Sequence, residues 1–188
     1  GGYLLAYFPS SGVEFDEPKL VILAQRFDNE NQRDGEEFRI DKDYNPDHTG
    51  KDLISVSSLA NGGFVAMWTL YAFTSYGKIF GPDTTNGTLF QIDGEAFNPY
   101  AAGLTDGGFV VAFQSLGEDI WFQIYNADGS LRGNEVSILR PDRAETIRGK
   151  LTWLLPVVGL EGNRFLMAWN VQDDEELEGF SYQTRVFS

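Results

Sequence analysis

Five oxygen-bearing side chains, Asp41, Asp43, Asn45, Asp47 and Asp52, stand at positions 1, 3, 5, 7 and 12 of one polar stretch. Alternate residues of a tight loop can turn their oxygens toward a common centre, so this spacing suits a hard cation, calcium above all. Two residues depart from the calcium-loop pattern. Pro46 stands where the sharp turn needs glycine, and Asp52 is one carbon shorter than the glutamate that binds bidentately. The same residues also read as a solvated connection between strands.

Other candidate chemistry is sparser. His48 is the sole histidine and lies in that polar stretch, with no G-x-S-x-G nucleophile elbow to accompany it, so a Ser-His-Asp triad has no support. Gly62-Gly63 and Gly107-Gly108 link one apolar run to the next without a helix behind them, which excludes a phosphate cradle. Asp28 to Asp34, Asn126 to Asp128 and Asp173 to Glu178 are acidic. Turn chemistry explains the first two, because Asn and Asp accept left-handed backbone and bond their own main chain. The third is a solvated loop tip. A glycoside hydrolase needs two carboxylates at a defined separation, which sequence does not supply. Trp121 and Trp153 do not recur at equivalent positions and are candidate platforms for a sugar ring, whereas Trp68 and Trp169 recur and read as core. Asn86-Gly87-Thr88 is an N-glycosylation sequon at a predicted hairpin tip.

The elements that must position these residues are organised by repetition. Leu59-Ala-Asn-Gly-Gly-Phe64-Val-Ala-Met-Trp68 recurs as Leu104-Thr-Asp-Gly-Gly-Phe109-Val-Val-Ala-Phe113. A worn copy is Leu160-Glu-Gly-Asn-Arg-Phe165-Leu-Met-Ala-Trp169, and the chain opens on Gly1-Gly2-Tyr3-Leu-Leu-Ala-Tyr7. Self-similarity at such spacing marks a repeat architecture. Around each phrase lie short aromatic and β-branched runs separated by Asn-Gly, Asp-Gly and Gly-Gly turns, the pattern of antiparallel strands. Predicted strands cover residues 3–8, 20–27, 36–40, 54–59, 64–70, 78–81, 89–92, 101–104, 109–114, 120–125, 136–139, 151–160, 165–170 and 179–187. The turn after the second closes at Asp34-Gly35.

Four strands in each unit of about 45 residues predict an all-β chain of β-propeller-type blades. The approximate repeats are 1–52, 53–98, 99–149 and 150–188, forming one repeat domain or a segment of a larger propeller. Two blades are complete and two partial: the first copy begins at its Gly-Gly turn, without strand one, and the last stops after strand three. Neighbouring chains or further segments are expected to complete the open edges, since unpaired edges invite aggregation.

Composition narrows the partners. With 14 basic against 28 acidic residues the formal charge is −14, which repels phosphate backbones and argues against nucleic acid. Cysteine is absent, which excludes disulfides, thiolate metal sites and a thiol nucleophile. No run approaches the ~18 apolar residues of a membrane span.

The L-x-D-G-G-F-V-V-A-W phrase is followed by Phe122-Gln-Ile-Tyr-Asn-Ala-Asp-Gly129 and Gly133-Asn-Glu135. This combination resembles a repeat of very large secreted and cell-surface proteins that sit beside cadherin-like or RTX-type calcium-binding modules. Asp28 to Gly35-Glu-Glu-Phe38-Arg-Ile40 matches its second half; the second repeat lacks the G-x-E-F element. The resemblance implies an extracellular or cell-surface propeller-like array and brings no catalytic residues. The expected function is a non-enzymatic structural or adhesion module that assembles with proteins. A carbohydrate-binding propeller is the alternative, and a hydrolase-type propeller a further one.

Overall fold

The structure is a computed structural model that describes residues 2–8, 21–42, 51–70, 74–82, 86–92, 94, 96–115, 120–138, 149–154, 156–173 and 180–188. Among the described residues every regular element is a strand. The first sheet has β1 (Tyr3–Tyr7), β2 (Leu23–Phe27) and β3 (Arg33–Arg39) in that order. The second runs β4 (Lys51–Ser58), β5 (Phe64–Leu70), β6 (Thr74–Phe80) and β7 (Gly87–Gln91). The third runs β8 (Ala96–Gly103), β9 (Phe109–Ser115), β10 (Ile120–Tyr125) and β11 (Leu131–Ser137). In the fourth, β12 (Gly149–Leu154) and β13 (Val158–Leu160) both pair with β14 (Arg164–Asp173), which also pairs with β15 (Phe180–Phe187). All neighbours are antiparallel. The predicted all-β chain of two complete and two partial four-stranded blades is what folds.

Burial explains why strand two of each blade reads as a continuous apolar run. β5 is buried along its whole length, and β9 everywhere except Ser115, because both faces of the sheet are covered by neighbouring blades. Three clusters fill the three junctions. Leu4, Ala24 and Ile40 of the first blade meet Phe64, Trp68 and Phe80 of the second. Val65, Met67 and Ile79 meet Phe109, Val111 and Tyr125. Val110, Ala112 and Phe122 meet Phe165, Met167 and Trp169. Alternation along each strand sends successive residues into successive clusters. The expected packing role of Trp68 and Trp169 is thus met: they are 0% and 7% exposed.

The recurrent phrase is a turn with two distinct glycine requirements. Gly62 and Gly107 have φ of +83° and +93°, and Asn163 takes the same place in the fourth blade at +58°. Each loop closes through the preceding residues: Gly63 N–H donates to Asn61 Oδ1 at 2.9 Å and Gly108 N–H to Asp106 Oδ1 at 3.0 Å. The second glycine is needed for space. A Cβ on Gly2, Gly63 or Gly108 would fall well inside 3 Å of the carbonyl oxygen of Phe27, Phe80 or Tyr125 on strand three.

Three sequence expectations need correction. The turn after β2 closes early, with Asp28 N–H donating to Gln32 O at 2.9 Å and Asn31 at φ +61°. Asp34-Gly35 instead lies within β3 as a bulge, Gly35 at φ +80°, and Gly133 repeats it in β11 at +75°. That bulge lets β3 and β11 begin at Arg33 and Leu131, earlier than the alternation from Glu36 or Val136 suggests. Finally, the single strand expected over 151–160 is two pieces, interrupted around exposed Pro156, whose missing N–H cannot extend the ladder.

The bulges explain the glutamine of the Q-x-Y motif. Gln25 and Gln123, 3% and 1% exposed, are repeat-equivalent on strand three. Gln25 Nε2 donates to Arg26 O and Gly35 O at 2.9 and 3.0 Å. Gln123 Nε2 reaches Ile124 O, Arg132 O and Gly133 O at 2.6, 3.2 and 3.3 Å. The second blade has no bulge between β6 and β7 and carries Lys78 at this position. Gln123→Leu would take their side-chain donor from the Ile124, Arg132 and Gly133 carbonyls and is expected to cost about 1 kcal/mol in urea unfolding. An unchanged midpoint would remove the amide's role.

Candidate functional site

The same aromatic contact recurs once per blade. The first aromatic of each phrase stacks on its cross-strand partner on strand three: Tyr3 on Phe27, Phe64 on Phe80, Phe109 on Tyr125 and Phe165 on Phe187. Centroid separations are 5.1, 4.4, 5.0 and 5.1 Å, with interplanar angles of 12° or less. Direct antiparallel opposition brings the two rings face to face.

In three blades an aromatic from the preceding blade caps the pair. Phe38 lies against Phe64 and Phe80, Phe90 against Phe109 and Tyr125, and Phe122 against Phe165 and Phe187. The Tyr3–Phe27 pair has no such cap among the described residues, and Tyr3 is 50% exposed. Leu5, on the same face two residues on, is 51% exposed. At the opposite end, the face of the fourth blade turned away from the third carries Val158 and Val186, both 51% exposed, and Tyr182 at 71%. Leu166 lies between the two valines, paired with each.

A cavity of about 370 Å³ opens beside the first pair, lined among others by Tyr3, Arg26, Phe27, Asp34, Ser58 and Phe64. The Arg26 guanidinium sits 5.7 Å from the Phe64 centroid and donates to Gly81 O at 3.0 Å and to Pro82 O, tying the first blade to the second. Between later blades the inner strands approach more closely. Ser55 and Ser57 hydroxyls accept Ala101 N–H and Gly103 N–H at 3.2 and 3.0 Å. A Cβ on Gly103 would collide with Ser58 O, and one on Gly159 with Gly103 O. At the equivalent place in the second blade stands exposed Ser58, which turns its carbonyl toward Gly103 and also lines the cavity.

The turn loops also link blades. Asn163 Oδ1 accepts Thr105 Oγ1 at 2.7 Å and Asp106 N–H at 2.8 Å, and Asn163 N–H donates to Thr105 Oγ1 at 3.1 Å. Asp106 is ion-paired with Arg132, whose Nη2 also donates to Tyr125 O at 3.2 Å. The hydrogen bond from Arg132 holds the Asp106 carboxyl below the ordinary aspartate value. A depressed folded-state pKa contributes stability that is present above the unfolded value and disappears as pH falls through the depressed one. Asp106→Asn is therefore expected to lower Tm by about 2–4 °C at pH 7, the scale of a ~1 kcal/mol surface pair, and by almost nothing at pH 2. An equal deficit at both pH values would locate its role in the turn instead.

Of the residues singled out from sequence, the structure describes some and not others. Asp41 is 1% exposed; its Oδ1 accepts Arg39 Nε at 2.7 Å and Ile22 N–H at 3.2 Å, and its Oδ2 accepts Arg39 Nη2 at 3.2 Å. Asp52 lies in β4, while Asp43, Asn45 and Asp47 fall outside the described residues. Trp121 is half-buried in β10 against the second cluster. Trp153 pairs with Asn170 in β12, and its side chain falls outside the described residues. Asn86 is exposed immediately before β7. Sequence reading did not single out the Tyr3–Phe27 pair because Tyr3 looks like any anchor aromatic; what sets it apart is that no aromatic caps the pair among the described residues and that Tyr3 is half-exposed.

No family model matches this chain, and comparison with curated proteins finds no relative. Among solved structures it is similar to the Hadza microbial sialidase Hz136, at a TM-score of 0.58 and 7% identity, over 91% of this chain. The chain spans 43% of the length of that protein. At such low identity the likeness is one of fold alone, and the fold is a run of β-propeller blades.

Proposed function

We propose that this chain is a non-enzymatic structural or adhesion module, extracellular or at a cell surface, that works by packing its open blade faces against protein partners. The observation that carries this reading is the Tyr3–Phe27 pair, which no aromatic caps among the described residues, whereas its three equivalents are each closed by a neighbouring blade. Exposed apolar side chains grouped on such a face favour a protein contact. The location follows the resemblance of its repeat phrase to those of large secreted and surface proteins. Calcium at the 41–52 loop belongs to the same reading, with Asp41 having to exchange its bond to Arg39 for the ion.

A photo-reactive phenylalanine analogue at position 182, in the chain expressed in its native source, tests the assembly reading. Covalent adducts to protein are expected. If irradiation yields none there, nor from the same analogue at position 3, the reading fails.

A carbohydrate-binding module is the second reading, favoured by the cavity beside Tyr3 and Phe27 with Arg26, Asp34 and Ser58 around it. Its volume suits a small ligand, and aromatic faces with a few polar groups are what a sugar ring requires. A glycan array with no hit above background would dismiss it.

A further inference from the structure

Each internal junction of this molecule is built from the same four repeat-equivalent positions. On one side are the second residue of the phrase and its cross-strand partner: Leu4 and Arg26, Val65 and Ile79, Val110 and Ile124. On the other side is the stacked pair of the next blade: Phe64 and Phe80, Phe109 and Tyr125, Phe165 and Phe187. The fourth blade presents Leu166 and Val186 at the first pair of positions, with Val158 and Tyr182 flanking them. The first blade presents Tyr3 and Phe27 at the second pair. Among the described residues there are eight exposed large hydrophobics, and five of them, Tyr3, Leu5, Val158, Tyr182 and Val186, lie on these two faces. One face is thus the outgoing half of a blade junction and the other the incoming half.

We infer that a second copy of this chain docks head to tail, the fourth blade of one copy covering the first blade of the next. Leu166 and Val186 then lie over the partner copy's Tyr3–Phe27 pair, as Val110 and Ile124 share a core with Phe165 and Phe187 inside one chain. The inference rests on the assembly reading above and names its partner. Because the two halves differ, the contact is heterologous: it closes a ring if the rotation allows and otherwise propagates as a filament. The formal charge of −14 on each copy opposes contact, so association should strengthen as salt rises, the reverse of an interface held by ion pairs.

Sedimentation velocity on the 188-residue chain at ~0.5 M salt, across a hundredfold range of concentration, tests this with Leu5→Glu and Val186→Glu. Both positions are half-exposed, and melting curves check that each variant folds. The unaltered chain should form dimers or longer species with rising concentration, and each variant alone should stay monomeric. An equimolar mixture should form a dimer and stop there, because Leu5→Glu retains a free fourth-blade face and Val186→Glu a free first-blade face. A chain that is monomeric throughout would overturn the inference, as would a variant that still dimerises alone or a mixture that stays monomeric. Protein adducts at position 182 from some other polypeptide, with a monomeric pure chain, would sink the second-copy partner while leaving the broader assembly reading standing.

Discussion

Phe109→Ala is expected to remove about 4 kcal/mol of unfolding free energy, whereas Tyr3→Ala should remove about 1 kcal/mol. The two residues hold the same place in the repeat and make the same stacked contact, at 5.0 and 5.1 Å. They differ in what covers them. Phe109 is 0% exposed, with Phe90 tilted against its ring at 5.8 Å and Val65 and Ile79 of the preceding blade in the same cluster. Deleting it opens a cavity between two blades that neither sheet can close without breaking its ladder. Tyr3 is half in water already, so truncation forfeits mainly one face of contact with Phe27. Urea unfolding with constant m-values checks the pair. Equal losses would mean that the blades are stabilised one by one rather than through their junctions. Out of a typical 5–15 kcal/mol, a loss of 4 would leave little folded protein on heating.

Gly103→Val is expected to cost about 3 kcal/mol or more, against about 1 kcal/mol for Gly133→Ala. The comparison separates two reasons for a glycine. Gly133 has φ of +75° and nothing within 4 Å of a built Cβ, so an alanine there meets only backbone strain. Gly103 has no positive φ, but any Cβ would strike the Ser58 carbonyl of the adjoining inner strand. Backbone cannot rotate away as a side chain can. β8 would have to move off β4, weakening the bonds from Ala101 and Gly103 N–H to Ser55 and Ser57. A Gly103→Val protein with an unchanged urea midpoint would show that the inner strands are not held in contact.

Much of the architecture was legible in the residue order. The repeated Gly-Gly-aromatic phrase located strand two of every blade, because a buried strand must be apolar along its whole length and a tight turn must have residues that accept positive φ. Asn163 at the place of Gly62 and Gly107 obeys the same rule. Boundaries were less legible where two local rules competed. Asp34-Gly35 is a turn-former by type, yet β3 extends through it as a bulge, since the buried Gln25 amide binds the freed carbonyl. Pro156 divides a run that hydropathy alone joins.

By itself the sequence determined the all-β class and the four repeated units within these residues, because periodicity and turn chemistry are local properties. Only the tertiary structure decided which aromatics are capped. Tyr3, Phe64, Phe109 and Phe165 are interchangeable as letters; their exposure depends on whether another sheet stands about 10 Å away. It also decided that Gly2, Gly63 and Gly108 are spacers rather than hinges, since the carbonyls they spare belong to residues on the next strand. Contact between residues distant in sequence is set by how sheets stack, and stacking is what leaves Tyr3 half-exposed while Phe64, Phe109 and Phe165 form a core.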